Sequence, residues 1–275
     1  MYFGLSEDQI FFQDNVKKFL EDQLTLDTVK KITEGEDDLA KEELHKGLIN
    51  LGINNILIPE EYGGLGLDLL FATAVSQSLG EGVATLPFLG PYIVAPTAIK
   101  YGASDNQKEK LFAGMCQNLI NFGIGFSEYF GSRDSSGLNI SDNKVTGKTL
   151  FVLDADFASH VMIADNNGQI GVVSLDSNGI EMIDLTTVDK TRTYKEMHFS
   201  DTPIEILDKT KSSSFAVEMA LDAGRIIAAA DSLGASQAMI NKAVEYSKER
   251  KQFNRVIGSF QAVKHMCAEM AAELE

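Results

Sequence analysis

The sequence predicts an α+β chain: an N-terminal helical domain, a central antiparallel β-sheet domain that is barrel-like, and a C-terminal helical bundle that is incomplete. Three observations carry that expectation. Apolar residues recur at the helical period up to about Gln117; short β-rich runs between turn residues fill the stretch from about Leu119 to Lys209; the helical period returns after Ser212. These shifts place the domains at 1–118, 119–212 and 213–275. With 275 residues, 44% of them hydrophobic, the chain is long and apolar enough for a substantial core.

The first helix is announced by Ser6 and Gln9, a capping-box pair, ahead of apolar Ile10, Phe11, Val16, Phe19 and Leu20. Further helices are predicted over 38–51, 69–79 and 106–115. Between the helices at 38–51 and 69–79 lies "PEEYGGLGLD", with Gly63, Gly64 and Gly66. A phosphate-binding fingerprint would need such glycines between a strand and a helix, whereas these follow Pro59 and two glutamates inside the helical region. The expectation is a tight interhelical loop.

The middle region reads as strands at "LINFGIGF", "NKVTGKTLFVL", "HVMIA", "GVVSL" and "EMHFS", punctuated by turns at "ADNNGQ" and "LDSNG". From 213 to about 251 a single long helix is predicted, in which Gly224 and Gly234 mark close helix packing rather than breaks. A last helix opens near Gly258 or Ser259 and reaches the end at "CAEMAAELE" with neither a glycine stop nor a tail, so the chain looks cut and C-terminal sequence is expected to be missing.

A formal net charge of −16 argues against nonspecific nucleic-acid binding, which requires a basic surface. No apolar run approaches the ~20 residues of a membrane span, and "MYFGLSEDQIFF" lacks a basic leader; the expectation is a cytoplasmic protein. Two separated cysteines and four scattered histidines suggest neither a metal cluster nor a disulfide framework.

Against this acidic background, "SKERKQFNRVIGSFQ" gathers Lys248, Arg250, Lys251 and Arg255 at the end of the long helix. Cations there stabilise the unpaired carbonyls of a helix C-terminus. The same stretch also offers a guanidinium fork on Arg250, an amide on Gln252 and the ring of Phe253, a set suited to a phosphate-bearing ligand with a flat ring.

Taken in order, "LSEDQIFFQDNVKKFL", "GINNILIPEEYGGLGLD", "YGASDNQKEKLFAG", "DLTTVDKTRTYKEMHFSDTPIE" and "GRIIAAADSLGASQAMINKAVEYSKERKQFNRVIGSFQAVKHMCAEM" resemble successive blocks of the acyl-CoA dehydrogenase family over essentially the whole chain. The resemblance implies FAD bound between the sheet and the C-terminal helices, an acyl-CoA thioester substrate, α,β-dehydrogenation, and electrons passed to an electron-transferring flavoprotein. It implies that Arg250, Gln252 and Phe253, with Gln261 beside them, reach across a subunit interface to the pyrophosphate and adenosine of a neighbour's FAD, hence a homo- or hetero-oligomer. The flavin-contacting "T-E-P-x-A-G-S-D" segment of the family matches "SEYFGSRD", in which Ser127 keeps a hydroxyl. The usual tryptophan and threonine beside the flavin match Phe151 and Leu153. Arg225 matches a position lining the active site and is the candidate substrate-binding residue. The catalytic base is unassigned: the minority position for a glutamate is Gly224, the common one is expected beyond residue 275, and neighbouring Asp222 is read as a solvated or Arg-paired carboxylate. The alternative function is a non-catalytic partner subunit that completes a neighbour's FAD site; a flavin oxidase or monooxygenase on the same scaffold is a third reading.

Overall fold

A computed structural model describes residues 5–275. Eight α-helices, α1 (Glu7–Gln23), α2 (Leu26–Glu34), α3 (Asp38–Asn50), α4 (Leu69–Glu81), α5 (Ala95–Gly102), α6 (Asp105–Cys116), α7 (Phe215–Glu249) and α8 (Gln261–Leu274), flank a sheet. Its strands are β1 (Phe122–Gly125), β2 (Gly137–Ser141), β3 (Lys144–Leu153), β4 (His160–Ala164), β5 (Ile170–Ser174), β6 (Ile180–Leu185), β7 (Tyr194–Pro203) and β8 (Glu205–Ile206). A two-stranded hairpin, β9 (Lys251–Gln252) and β10 (Arg255–Val256), joins α7 to α8.

Local chemistry sets several of these boundaries. The Ser6 and Gln9 backbone amides exchange bonds with each other's side chains at 2.8 and 3.2 Å, completing the expected capping box. Gly35 ends α2 in the left-handed conformation, with φ of 73°. The glycine cluster is a loop ahead of α4: a side chain at Gly64 would fall 2.0 Å from the Ile58 carbonyl oxygen, which requires glycine there.

The sheet runs β6-β7-β3-β1-β4-β5-β8, with β2 added to β3. It corrects the expected architecture in two respects. The sheet is mixed, because β1 and β4 pair in parallel from Phe122↔His160 to Gly125↔Ile163. It is also open: β6 and β8 lie at opposite ends of the strand order, and a two-residue β8 offers too little ladder to close a barrel.

Three hydrophobic clusters run across the joins between helices and sheet. The first unites Val16, Leu20, Leu48, Phe71 and Leu79 with Ala223 and Ile227 of α7. The second brings Ile99, Phe112, Phe122 and Met162 onto Ala216 and Ala220. A third, within the sheet, holds Val145, Val161, Ile163, Met197 and Phe199. The first half of α7 is therefore the wall against which both layers pack. Where α7 crosses α4 the backbones nearly touch: a methyl on Gly234 would lie 1.9 Å from the Gln77 carbonyl oxygen, and one on Gly80 2.0 Å from that of Asp231. Beyond Gly234 only Ser247 of α7 is buried, and no residue of α8 is.

Candidate functional site

Two clusters of sequence-predicted residues form at opposite ends of α7. The first is built on an irregularity in β3. Its pairing with β7 shifts register between Thr149 and Val152, and the bulge swings Phe151 outward with φ of 56°, 46% exposed. A turn at 127–130 fastens the bulge. The Ser127 hydroxyl donates to the Leu150 carbonyl at 2.6 Å and lies 2.8 Å from a carboxylate oxygen of Glu128. Glu128, only 2% exposed, accepts the Leu150 amide at 3.0 Å and the Thr149 hydroxyl. The amide and carbonyl that the bulge removes from the β-ladder are thus both satisfied by this turn. Ser127 consequently acts on Phe151 through the backbone, and its hydroxyl proton is engaged within the protein. Glu128 is the neighbour of Ser127 that sequence reasoning missed; nothing in "SEYFGSRD" distinguishes a buried glutamate from a solvated one.

The same turn leans on α7. The Tyr129 hydroxyl donates to Glu218 at 2.9 Å, and the Arg225 guanidinium lies over the exposed ring of Phe130, 5.6 Å from its centroid. Hydrogen bonds from the hydroxyls of Ser214 and Tyr129 hold the Glu218 carboxyl below its usual range. Arg225 also pairs with Asp222 on the same helix at 2.5 Å, so the paired reading of Asp222 describes what is seen. Gly224 faces inward instead, towards Val94 and Leu89 of a π-helical turn at Leu89–Val94; a methyl there would stand 3.2 Å from Val94 Cγ2. The turn at 127–130 thus contacts both the backbone beside Phe151 and the Arg225 guanidinium, marking out a candidate face from which position 224 is turned away.

The second cluster is an arm. Arg250 caps α7 in extended conformation, its amide donating to the Tyr246 carbonyl at 2.9 Å. The hairpin then turns through Phe253 and Asn254, both left-handed at φ of 53° and 63°, leaving Phe253 88% exposed at the tip. Gln252 bonds only the adjacent Lys251 carbonyl, and Gln261 opens α8 on the surface. Arg255 differs from Arg250: its guanidinium sits 4.0 Å over the Phe260 ring, whereas Arg250 forms no ion pair among the described residues. Twenty-five residues of α7 separate Arg225 from Arg250, about 37 Å at 1.5 Å per residue. The arm cannot serve the face of its own chain.

Among the described residues no group of His, Cys, Asp and Glu is arranged to hold a metal ion, and no helix is long and apolar enough to cross a membrane.

In chain order, helices, an open mixed sheet with an aromatic-bearing bulge, and helices again with a remote cationic arm define a class of helix–sheet–helix proteins. The sequence places the chain within it: the N-terminal domain of acyl-CoA dehydrogenases matches residues 6–118 and their C-terminal domain residues 215–275. The chain belongs to the acyl-CoA dehydrogenase family. It is 27% identical to the 3-(aryl)acrylate reductase of Clostridium sporogenes, over 90% of this chain and 71% of that one. It is 25% identical to the Caffeyl-CoA reductase-Etf complex subunit of Acetobacterium woodii, over 100% of this chain and 77% of the relative. That alignment runs over 304 positions, more than this chain has residues, so the relative carries insertions within the shared span. The structure of a glutaryl-coenzyme A dehydrogenase with glutaryl-CoA superposes with a TM-score of 0.86 over 100% of this chain and 75% of that chain, at 24% identity.

Proposed function

We propose that the chain is an FAD-dependent oxidoreductase of the cytoplasm that dehydrogenates an acyl-CoA thioester between its α and β carbons, delivers electrons to an electron-transferring flavoprotein, and works as an oligomer. The observation that carries this reading is the pair of separated half-sites, each fitted to a different part of one dinucleotide. Phe151, held out from the sheet by the Ser127–Glu128 turn, presents an aromatic face to a flat ring. Arg250, whose planar fork has no partner among the described residues, can offer it to two pyrophosphate oxygens, with the Gln252 amide and the Phe253 ring beside it. Because the arm lies some 37 Å from the face, counted along α7, a complete site takes the face of one chain and the arm of another. FAD, when bound, supplies the hydride acceptor. The Acetobacterium relative, named for a complex with Etf, supports the choice of electron acceptor.

The residues divide the remaining work. Arg225 stands exposed beside the face, where a cation attracts the phosphates of a thioester ligand or the charge that develops on its carbonyl oxygen. Asp222, bound to Arg225, is held as an ion-pair partner and not as a free base. This pairing, with glycine at 224, favours the second reading, a partner subunit that completes a homologue's FAD site. The experiment is to titrate the purified chain with FAD and compare Arg250→Ala. Loss of flavin binding with unchanged circular dichroism supports the arm's role; unchanged affinity refutes it and leaves Arg250 a helix-end cation. Assay with acyl-CoA thioesters, alone and with a co-expressed homologue, separates a self-sufficient dehydrogenase from a partner.

A further inference from the structure

A buried acid outside this site has no role so far. Asp154 ends β3 in the left-handed conformation, with φ of 59°, and is 3% exposed. Its amide donates to the Thr193 carbonyl at 3.1 Å, fixing the strain in place. Among the described residues one carboxyl oxygen, Oδ2, has no hydrogen-bond partner, and the buried hydroxyls of Thr85 and Thr193 have none either. All three residues line one cavity of about 30 Å3 at the junction of α3, the 84–87 segment and the sheet. One water molecule needs roughly 10–15 Å3 of such space and two to four polar partners. The cavity meets both conditions.

We propose that Asp154, Thr85 and Thr193 form a one-water site that clasps the helical layer to the sheet and opens when the carboxyl loses its proton. Protonated, Asp154 donates to the water, which also satisfies the two hydroxyls. Deprotonated, it becomes a desolvated charge whose surroundings are already committed. Lys41, on α3, lies over the Phe157 ring at 4.5 Å. Arg192 donates to the Ala84 and Leu86 carbonyls at 3.2 and 2.8 Å. Lys190 is exposed at the cavity's rim, Asp156 repels, and Tyr92 and Tyr194 are neutral, the Tyr92 hydroxyl being paired with His45 at 2.8 Å. Only drawing a lysine or more water inward neutralises the carboxylate, and either movement parts the 84–87 segment from the turn at 155–157. Burial, opposed by Arg192, raises the Asp154 carboxyl to about 7, which puts the transition in the neutral range. The sign follows: the unfolded chain ionises Asp154 near 4 and the folded chain near 7, so this group's contribution to stability is full below about 4 and declines as pH rises through 7.

The test needs no flavin: Asp154 follows Leu153, but with Thr85 and Thr193 it lines a cavity of its own, and every readout is made on the flavin-free chain. It is tested by following the Asp154 side-chain carboxyl by carbon-13 NMR, with hydrogen exchange at 84–94 and 155–158 corrected for the intrinsic effect of pH. A midpoint near neutrality is expected, together with loss of protection on the same curve, and Asp154→Asn should abolish that pH dependence. A carboxyl that titrates in the ordinary acidic range overturns the proposal, as does identical pH-dependent exchange in Asp154→Asn. If that variant fails to fold, Thr193→Val keeps the acid and deletes one partner of the water that holds the protonated form; its midpoint should move lower, and an unmoved midpoint would show that the three groups share no site.

Discussion

At the scale of single residues, Phe151 combines two costs that oppose each other when it is changed. A bulky side chain in left-handed backbone costs about 1–2 kcal/mol, and exposure leaves its ring little packing to set against that. Phe151→Gly relieves the strain while adding freedom to the unfolded chain, roughly 0.5–1 kcal/mol in the opposite direction. The expected outcome is a stability unchanged or raised by up to about 1 kcal/mol together with a loss of flavin affinity of tenfold or more, measured by urea denaturation and FAD titration of one preparation. A destabilisation above about 2 kcal/mol would instead mark Phe151 as a packed core aromatic. Legibility also divides at this scale. Ser127, Phe151 and Arg250 were candidates from the sequence alone because motif spacing keeps track of chemistry along the chain. Glu128 and Asp154 could not, because their burial is created by Leu150, Thr193 and Gly90, residues brought to them only by the fold.

At the scale of elements, the helical period exposed α1, α3, α4, α6 and α7 because each is amphipathic or long. It did not expose α2, which has nine residues, or the π-helical turn leading into α5, where "GPYIVAPTAI" is apolar on all sides and shows no period. β6 lies at the sheet's edge with four of its six residues exposed, so burial imposes little alternation on it. The parallel pairing of β1 with β4 is a tertiary choice that neither strand's composition records. The glycines of α7 were legible as packing positions, and the structure separates them. Gly234→Ala sets a methyl against the α4 backbone, which can yield only by moving the whole helix; a loss of about 1–3 kcal/mol or more is expected. Gly224→Ala meets only the end of a valine side chain at 3.2 Å, while alanine gains about 1 kcal/mol of helix propensity, so its stability should be unchanged or higher. Thermal denaturation of both variants checks the pair, and equal losses would disprove the crossing geometry.

For the molecule as a whole, surface area bears on the proposed assembly. A folded monomer of 30.0 kDa exposes ~11,700 Å2 by the usual scaling with mass, whereas this chain exposes 14672 Å2. The difference, close to 3,000 Å2, exceeds the roughly 800 Å2 that each partner buries in a standard interface. Part of it lies where packing ends, along the second half of α7, the hairpin and α8, with Leu233, Met239, Tyr246, Phe253 and Met266 all exposed. That surface adjoins the Arg250 arm. Association through it would carry the arm to a second chain, as the proposed shared site requires. Light scattering of the purified chain should therefore show a dimer or larger species at micromolar concentration, and Met239→Glu should lower the association without unfolding the core. Binding and assembly should also be linked: if FAD bridges two chains, saturating FAD shifts the dissociation midpoint to lower protein concentration, and Arg250→Ala cancels the shift while leaving FAD-free association intact. A flavin-loaded monomer would exclude a shared site. An oligomer indifferent to FAD would assign the exposed surface to assembly alone and leave each chain to hold its own cofactor.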